Sequence, residues 1–595
     1  MKQKGPFANS RYQEDSHLTF GSDFTLSNNA AEYGSDNEKG SLLDTKRVSS
    51  NNLEFNANLE VLDLDKSDSR DIDIQTDPSI EDYLENVCGF GRFQLITFFI
   101  LYLVIQPTCF LLYSIPYLQL MPSFECNSTG GSDSQVSGQW YSCKRDEACE
   151  NKDQGNFRYR IEQFGDTSLQ NYVVNLGLEC DSPNKLRLIG SFYFIGVILS
   201  IIIWMKQSEY FGKKQLILYG SFVQLMAYTG ILFFQFDLTV MYLYYLGLGM
   251  GSMLTLYNSF LYLQDFTPKK FKLAIGNLFL TFQILPMIFI SIYLGLFSSN
   301  SQIPLIAGYV LSIAGFVLLI PLPESPVYLF GKDQFYDCQE SLNYVATSNN
   351  RQPSVDFTRQ EEEKSNSSFQ RIESSYKSSQ MKWFARQLVL NNYNRNFVIF
   401  AICWIVVSFN YYLILFHFQE FKGSVYLNGF SSALGEIFGY LIVGNFMVSF
   451  GTKDTIGLSF IGMILSAIMY LYPALQNKIY YAGAIFIMKA SISCAFYSIF
   501  IGTNKFFKEE LTPTIFCFCN IVSRFFTILT PLVGNGVQDS NDKNSFMFMF
   551  ISLSFIAIAT ITCINDIESR KKQKKSQRGL QGFSSSGSDS KTKEV

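Results

Sequence analysis

The sequence is short of charged residues. Asp, Glu, Lys and Arg make up 16% of its 595 residues, whereas a soluble protein usually has about 25%. The charges that it does have are concentrated in 1–92, 323–395 and 565–595, so the remainder is nearly uncharged. A large soluble protein could not keep such a surface in water, and the composition is typical of a chain whose outer surface faces lipid.

Histidine is nearly absent as well, with two in the whole chain, His17 and His417. The sequence offers no metal-ligand spacing, no nucleophile beside a base and no glycine loop that could hold a phosphate. The glycine-rich run 247–251 lies inside an apolar segment, where small residues indicate close helix packing. We therefore expect a protein that is not an enzyme and that needs no metal or cofactor.

The net charge of −4 gives no indication of a nucleic-acid partner. The strongly basic run from Arg570 to Arg578 directly follows the last apolar segment. It could be a nucleic-acid patch, but a juxtamembrane anchor is the better interpretation, because anionic lipid at the cytoplasmic surface attracts such runs. The expected partner is a lipid bilayer rather than a nucleic acid.

Twelve apolar runs follow one another between residues 93 and 564. A helix needs about 20 residues to cross the ~30 Å of hydrocarbon in a bilayer, and each run meets that length. They lie at 93–118, 186–205, 215–234, 238–263, 271–297, 303–322, 396–418, 426–450, 455–475, 479–502, 514–537 and 544–564. The sequence therefore predicts an all-α membrane protein with twelve transmembrane helices.

Polar segments divide the chain into parts. The segment 323–395 separates the apolar runs into two sets of six, at 86–322 and 396–564. We expect this segment to be a cytoplasmic linker. We expect 1–85 and the basic, Ser-rich 565–595 to be cytoplasmic tails, and the first tail to be disordered.

Short motifs recur at matching places in the two halves. Residues 210–214 (YFGKK) follow the second run, and 449–453 (SFGTK) follow the eighth. Likewise, 265–268 (DFTP) end the fourth run and 510–513 (ELTP) precede the eleventh. These pairs indicate an internal duplication and predict the major facilitator fold, in which two pseudo-symmetric six-helix halves rock around a substrate site near the middle of the bilayer.

The long polar loop 119–184 predicts which side of the membrane is which. It contains Asn127-Ser128-Thr129, an acceptor pattern for N-glycosylation at Asn127. It also contains four cysteines: Cys126, Cys143, Cys149 and Cys180. Both features are typical of an extracellular loop tied by disulfides, and four cysteines leave three pairings open.

Basic residues of the short loops support the same orientation. They collect on the side opposite the long loop, for example Lys213, Lys269 and Lys453. By the positive-inside rule this side is cytoplasmic, so both termini are expected there as well. We expect a multi-pass protein of the plasma membrane.

From about residue 85 to 564 the chain resembles the organic cation/anion/carnitine transporter family of the major facilitator superfamily. The long cysteine-bearing loop after the first run is similar to that family's hallmark loop. The similar motifs are 87–94 (VCGFGRFQ), 323–329 (PESPVYL), Trp404 with Tyr411-Tyr412, Tyr426-Leu427-Asn428 with Glu436, Lys489, and 510–514 (ELTPT). The resemblance implies transport of small organic ions by alternating access, either facilitative or coupled to a second ion.

The chain departs from the family pattern at positions that serve the conformational cycle there. Residues 208–214 lack the first arginine of the family's loop, Tyr244 stands near the place of an arginine, and Cys517 replaces another. These departures leave open a non-transporting membrane component. A carrier of organic cations or sugars on the same scaffold is a further alternative.

Three ionisable residues lie inside the apolar runs of the second half: Glu436, Lys489 and Arg524. A charge in the bilayer core costs about 2.5–3.5 kcal/mol or more, so such residues usually face an aqueous cavity and serve function. We expect them to contact substrate together with Tyr411 and Tyr412. A structural bridge of Glu436 to Arg524 or to Lys489 is the alternative.

The charge of the substrate follows from Arg524, which stands seven residues before Pro531. In the resembling family, an arginine there implies anions or carnitine, whereas an aspartate implies cations. A guanidinium also forks onto a carboxylate or sulfate. The expected substrates are therefore small organic anions or zwitterions.

Charged residues in the loops are expected to act as gates by pairing the ends of helices. The candidates are Glu209, Lys213, Lys214, Asp265 and Glu510. The alternative is that the lysines only anchor the cytoplasmic side.

Overall fold

The computed structural model describes residues 80–128, 140–150, 157–162, 169–204, 210–235, 237–357, 393–472, 477–508, 511–536 and 545–564. Most of the two predicted tails and the second half of the predicted linker lie outside these residues. The boundaries predicted for the tails, linker and halves therefore remain predictions.

The described residues contain twelve helices that are long and apolar enough to cross a membrane. They are α1 (Arg92–Leu118), α2 (Pro183–Trp204), α3 (Lys213–Phe233), α4 (Leu238–Asp265), α5 (Lys269–Phe297), α6 (Gln302–Leu319), α7 (Asn394–Phe416), α8 (Val425–Phe450), α9 (Thr452–Leu471), α10 (Lys478–Thr503), α11 (Thr514–Val533) and α12 (Ser545–Thr562). This confirms the predicted fold class.

Helix α5 is interrupted next to a proline. Helix α5 consists of Lys269–Phe282, Leu285–Ile292 and a wider turn at Tyr293–Phe297, with Pro286 directly after the first break. The nitrogen of Pro286 has no hydrogen to donate to the preceding turn, and a proline ring crowds that turn. Gln283 and Ile284, which form the break, line a cavity in the centre of the bundle.

Glycines allow α2 and α4 to touch through their backbones. A Cβ at Gly196 of α2 would lie 2.1 Å from the carbonyl oxygen of Leu246, and one at Gly249 of α4 would lie 2.0 Å from that of Tyr193. The corresponding helices of the second half use the same device, since a Cβ at Gly435 of α8 would lie 2.3 Å from the carbonyl oxygen of Phe486 in α10. The two halves thus share a packing feature as well as a helix count.

The loop between α1 and α2 forms a small sheet. Strands β1 (Phe124–Ser128), β2 (Tyr141–Cys143) and β3 (Phe157–Ile161) pair antiparallel in the order β2-β1-β3. Disulfides join Cys126 to Cys143, between β1 and β2, and Cys149 to Cys180, near the start of α2. All four predicted cysteines are therefore paired, and the pairing that the sequence left open is resolved.

The first part of the predicted linker docks onto the first half. Helices Pro326–Gly331 and Phe335–Ser348 lead to Asn349, which lies beside the start of α1. The side chain of Asn349 donates to the carbonyl oxygen of Cys88 at 3.0 Å and accepts from the backbone N–H of Phe93 at 2.9 Å. Residues up to Asn349 therefore belong structurally with the first half.

The glycine contacts give a stability prediction with a built-in control. We expect Gly249→Ala to lower the free energy of unfolding by about 1–3 kcal/mol, because the added methyl meets the backbone of α2 and the two helices must separate. Gly247→Ala should be nearly neutral, since its Cβ would meet only the side chain of Ala227 at 3.6 Å. Thermal unfolding of the detergent-purified proteins measures both, and equal losses would contradict this packing.

Candidate functional site

A cavity of about 160 Å³ lies between the two halves. Helices α1, α2, α4 and α5 line it from the first half, and α7, α8, α10 and α11 line it from the second. Most of its wall is apolar. The polar side chains of its wall include Thr108, Tyr113, Tyr193, Tyr411, Tyr412, Glu436 and Arg524. Four of the five predicted substrate-contacting residues therefore line one cavity.

The fifth, Lys489, lies behind the cavity wall and pairs with Glu436. Its Nζ is 3.2 Å from Glu436 Oε2 and 3.4 Å from the centre of the Tyr411 ring. The Tyr411 hydroxyl donates to the other carboxylate oxygen at 3.0 Å. Both charged side chains are buried, so this ion pair, with its cation–π contact, satisfies each group internally. Of the two structural bridges that the sequence left open, the structure has the one to Lys489.

Arg524 has a different environment. Its Nη1 donates to the Tyr412 hydroxyl at 2.9 Å, and its Nε has no hydrogen-bond partner among the described residues. The described residues also give it no carboxylate within ion-pair distance. Because Glu436 and Lys489 neutralise each other, Arg524 leaves the cavity with a net positive charge. In a site of low dielectric constant this charge attracts an anion far more strongly than it would in water.

Tyrosines connect the two halves around this charge. The hydroxyls of Tyr113 on α1 and Tyr411 on α7 are 3.3 Å apart. The ring of Phe194 on α2 meets that of Tyr412 edge-on at 4.6 Å. Any substrate ion at Arg524 would therefore lie against aromatic walls from both halves.

A second cavity, of about 110 Å³, lies between α2, α4 and α11 on the side of the bundle where the linker lies. Met253 lines both cavities. Ser200 and Asn258 in its wall each have a buried side-chain oxygen that accepts no hydrogen bond from the residues that the structure describes. The two cavities are therefore neighbours, with Met253 in the wall of both.

Three of the five predicted gating residues meet on the linker side. Lys213 pairs with the carboxylate of Asp265, which also accepts from the Ser325 hydroxyl. The backbone N–H of Lys214, in the first turn of α3, donates to Glu324 at 2.9 Å. Glu209 and Glu510 lie outside the described residues. The described part of the cluster ties helices of the first half together, and its role as a gate stays a prediction.

Glu324 is a member of this cluster that sequence reasoning did not single out. Its carboxylate also accepts from the N–H of Ser325 and approaches Gly212, where a Cβ would lie 2.1 Å from Oε2. Burial raises the pKa of this carboxyl above its usual value, while the N–H groups that it accepts lower it. A carboxylate at the N-terminus of α3 also complements the helix dipole. The acidic residue of the 323–329 motif was the available signal.

The opposite side of the cavity, where the disulfide-tied loop lies, is closed by contacts between the halves. Ser191 of α2 donates to the carbonyl oxygen of Ile528 at 2.9 Å. Arg187, also on α2, is 2.8 Å from Glu420 in the turn after α7. His417 contacts the same carboxylate at 3.0 Å. The sequence analysis did not predict Arg187 and Glu420. They are 233 positions apart, and no local sequence pattern indicates such a contact.

The chain is similar to known membrane transporters in both sequence and fold. The family model described as Major Facilitator Superfamily matches residues 163–531. The structure superposes on a partially occluded, inward-open form of the xylose transporter XylE from E. coli with a TM-score of 0.51. That match covers 81% of this chain and 100% of the other at 11% identity, so it speaks for the fold alone.

Curated relatives are transporters at low identity. A putative transporter of Caenorhabditis elegans is 29% identical, over 23% of this chain and 28% of that protein. Organic cation/carnitine transporter 2 of Homo sapiens is 21% identical, over 62% of this chain and 64% of that protein. Solute carrier family 22 member 21 of Mus musculus is also 21% identical, over 76% and 80%. For the first two, the chain spans less than two thirds of the relative's length.

The buried ion pair makes a prediction about stability. We expect Glu436→Gln or Lys489→Met alone to destabilise the protein by about 3–5 kcal/mol, because each leaves an uncompensated buried charge. The double variant should lose clearly less than the sum of the two. Thermal unfolding in detergent measures the cycle, with Lys478→Met at the exposed start of α10 as the matched control. Simple additivity of the two losses would argue against the pair.

Proposed function

The chain belongs to the major facilitator superfamily, and on this premise we propose that it carries small organic anions or zwitterions across a membrane by alternating access. The observation that carries the proposal is the Arg524 guanidinium, which lines the central cavity without a described carboxylate partner. A guanidinium presents parallel donors that match a carboxylate, sulfate or phosphate. An anion would therefore supply acceptors that the described residues do not offer to Arg524.

The surroundings of Arg524 support an organic ion rather than a bare inorganic one. Tyr193, Tyr412 and Phe496 line the same cavity, and aromatic and apolar walls bind the uncharged part of a ligand. A zwitterion such as a carnitine-like molecule would place its carboxylate at Arg524. Its cationic end would lie against the tyrosine faces, which attract cations.

The alternatives receive less support from these contacts. A cation carrier needs an accessible carboxylate, but Glu436 is already bound by Lys489 and by the Tyr411 hydroxyl. A sugar carrier would not need an unpaired guanidinium in its cavity. The relatives are named as transporters of organic cations and carnitine, which favours transport of an organic ion over a non-transporting role.

The proposed location is the plasma membrane, with both termini in the cytoplasm. Two observations support this orientation: the paired cysteines of the loop after α1, since disulfides form in oxidising compartments, and the lysines on the opposite side. The proposal does not specify whether transport is coupled to a second ion.

Uptake into proteoliposomes tests the substrate class. We expect saturable uptake of a labelled organic anion or a carnitine-like zwitterion, and at least a tenfold lower uptake for Arg524→Gln, because a charge-assisted contact is worth about 1.5–3 kcal/mol. Arg524→Lys should retain part of the activity. Arg395→Gln, at the exposed start of α7, is the matched control. Uptake of a quaternary ammonium instead, unaffected by Arg524→Gln, would refute the assignment.

Glycosylation tests the orientation. Asn127 lies on β1 in the disulfide-tied loop, so an extracellular loop should receive an N-glycan at this position. We expect the protein from eukaryotic cells to migrate faster on a gel after endoglycosidase treatment, and Asn127→Gln to migrate at the faster position without treatment. A wild-type protein whose mobility does not change would count against an extracellular position of Asn127.

A further inference from the structure

The second cavity, between α2, α4 and α11, has no role in the proposed binding of an anion. Its wall comes from both halves, since α2 and α4 belong to the first half and α11 belongs to the second. Each helix contributes one short polar side chain to this wall: Ser200 from α2, Asn258 from α4 and Asn520 from α11. They are 1%, 4% and 8% exposed, respectively. Three helices therefore bring buried polar groups to the same small space.

The two asparagines present an oxygen to this space rather than a nitrogen. Asn258 Nδ2 donates to the carbonyl oxygen of Leu254 at 2.8 Å, and Asn520 Nδ2 donates to that of Phe516 at 2.9 Å. A carbonyl oxygen can only accept, so each amide nitrogen must lie on that side. Asn258 Oδ1 accepts no hydrogen bond from the described residues. A buried acceptor without a donor is unfavourable, so a ligand that donates would be stabilised there.

The Ser200 hydroxyl adds a group that can adapt to a ligand. Its Oγ makes no hydrogen bond with the residues that the structure describes, and a hydroxyl can both donate and accept. None of the described residues in this wall carries a charge. An anion would therefore turn its lone pairs toward the oxygens of the wall, and a cation would be buried without a counter-charge. Both are unfavourable in a place of low dielectric constant.

Apolar and aromatic side chains form the rest of the wall, including the rings of Trp204, Tyr257 and Phe516. The volume of the cavity is about 110 Å³, which is below the ~150 Å³ of an engineered apolar cavity in another protein that binds benzene. A ligand of up to about six heavy atoms is therefore the appropriate size. The volume also exceeds the share of a single water molecule, which is about 30 Å³ in the liquid.

We propose that the second cavity is a binding site of its own for a small uncharged molecule that has N–H or O–H donors at one end and an apolar body, such as a primary amide. The donors meet the oxygens of Asn258, Asn520 and Ser200, and the apolar body lies against the aromatic rings. In the neighbouring central cavity, by contrast, Arg524 favours an anion. The two cavities therefore select different ligands.

A native cysteine reports whether the second cavity is occupied. Cys517 lies in its wall and is partly exposed, whereas Cys563 is exposed directly after α12 and lies outside this wall. The full chain, purified in detergent, is treated with N-ethylmaleimide with and without millimolar butyramide. Mass spectrometry of its peptides gives the labelling rate at each thiol. Butyrate, an anion, and butyramidine, a cation, have the same number of heavy atoms as butyramide and are compared at the same concentration.

We expect butyramide to slow the labelling of Cys517 at least threefold and to leave Cys563 unchanged. Butyrate and butyramidine should slow Cys517 clearly less. Asn258→Leu removes an acceptor at nearly the same volume, so it should abolish the protection. Asn394→Leu, at the exposed start of α7, is the matched control and should keep it. Asn520→Leu provides a second test variant should the first not fold.

The emission of Trp204 provides a second measurement that does not depend on the reactivity of a thiol. Because Trp204 lines the cavity, butyramide should change the tryptophan emission of the full chain. Trp204→Phe should remove that change, which assigns the signal to this position.

Four results would overturn the proposal. In the first, butyramide neither protects Cys517 nor changes the emission of Trp204 in the folded protein, so that water is the only occupant. In the second, butyrate or butyramidine protects Cys517 as well as butyramide does. In the third, Cys563 is slowed equally, and in the fourth, protection survives in both folded asparagine variants. Because no transport is measured, this site can fail while the proposed transport of organic anions stands, and the reverse also holds.

Discussion

The ion pair between Glu436 and Lys489 determines the electrostatics of the whole central cavity. Within the second half, between α8 and α10, the negative charge of Glu436 and the positive charge of Lys489 neutralise each other. What remains is Arg524 on α11. Had Glu436 turned to Arg524 instead, the cavity would be neutral and the cationic residue would be Lys489, which lies behind the wall. The choice of partner therefore decides which residue can meet an anion.

Tight contacts within each half and looser ones between the halves suit a protein that rocks. Backbone contacts at glycines fix α2 to α4 and α8 to α10, whereas the halves meet through side-chain hydrogen bonds and ring contacts, such as Tyr113 with Tyr411 and Phe194 with Tyr412. Such side-chain contacts can break and form singly. On the disulfide-loop side they are present, and the second cavity lies toward the linker side.

Much of this architecture could be predicted from the sequence, because the signals were local. The apolar runs gave twelve helices, and four cysteines in one polar loop gave two disulfides. Contacts between distant residues could not be predicted in this way. No spacing rule joins Arg187 to Glu420, and the sequence could not say whether Glu436 chooses Lys489 or Arg524. Glu324 was visible as part of a motif, but its task at the first turn of α3 depends on how α3 and the linker pack.

The glycine contacts also restrict how the two halves could have diverged after a duplication. Side chains that line the cavity have open space on one side, and the two halves differ there, since Glu436 and Arg524 both belong to the second half. At Gly196 and Gly435 a single added methyl would meet the backbone of the neighbouring helix. The helix contacts within each half therefore leave no room for a side chain at these glycines, whereas the walls of the cavity leave room for the two halves to differ.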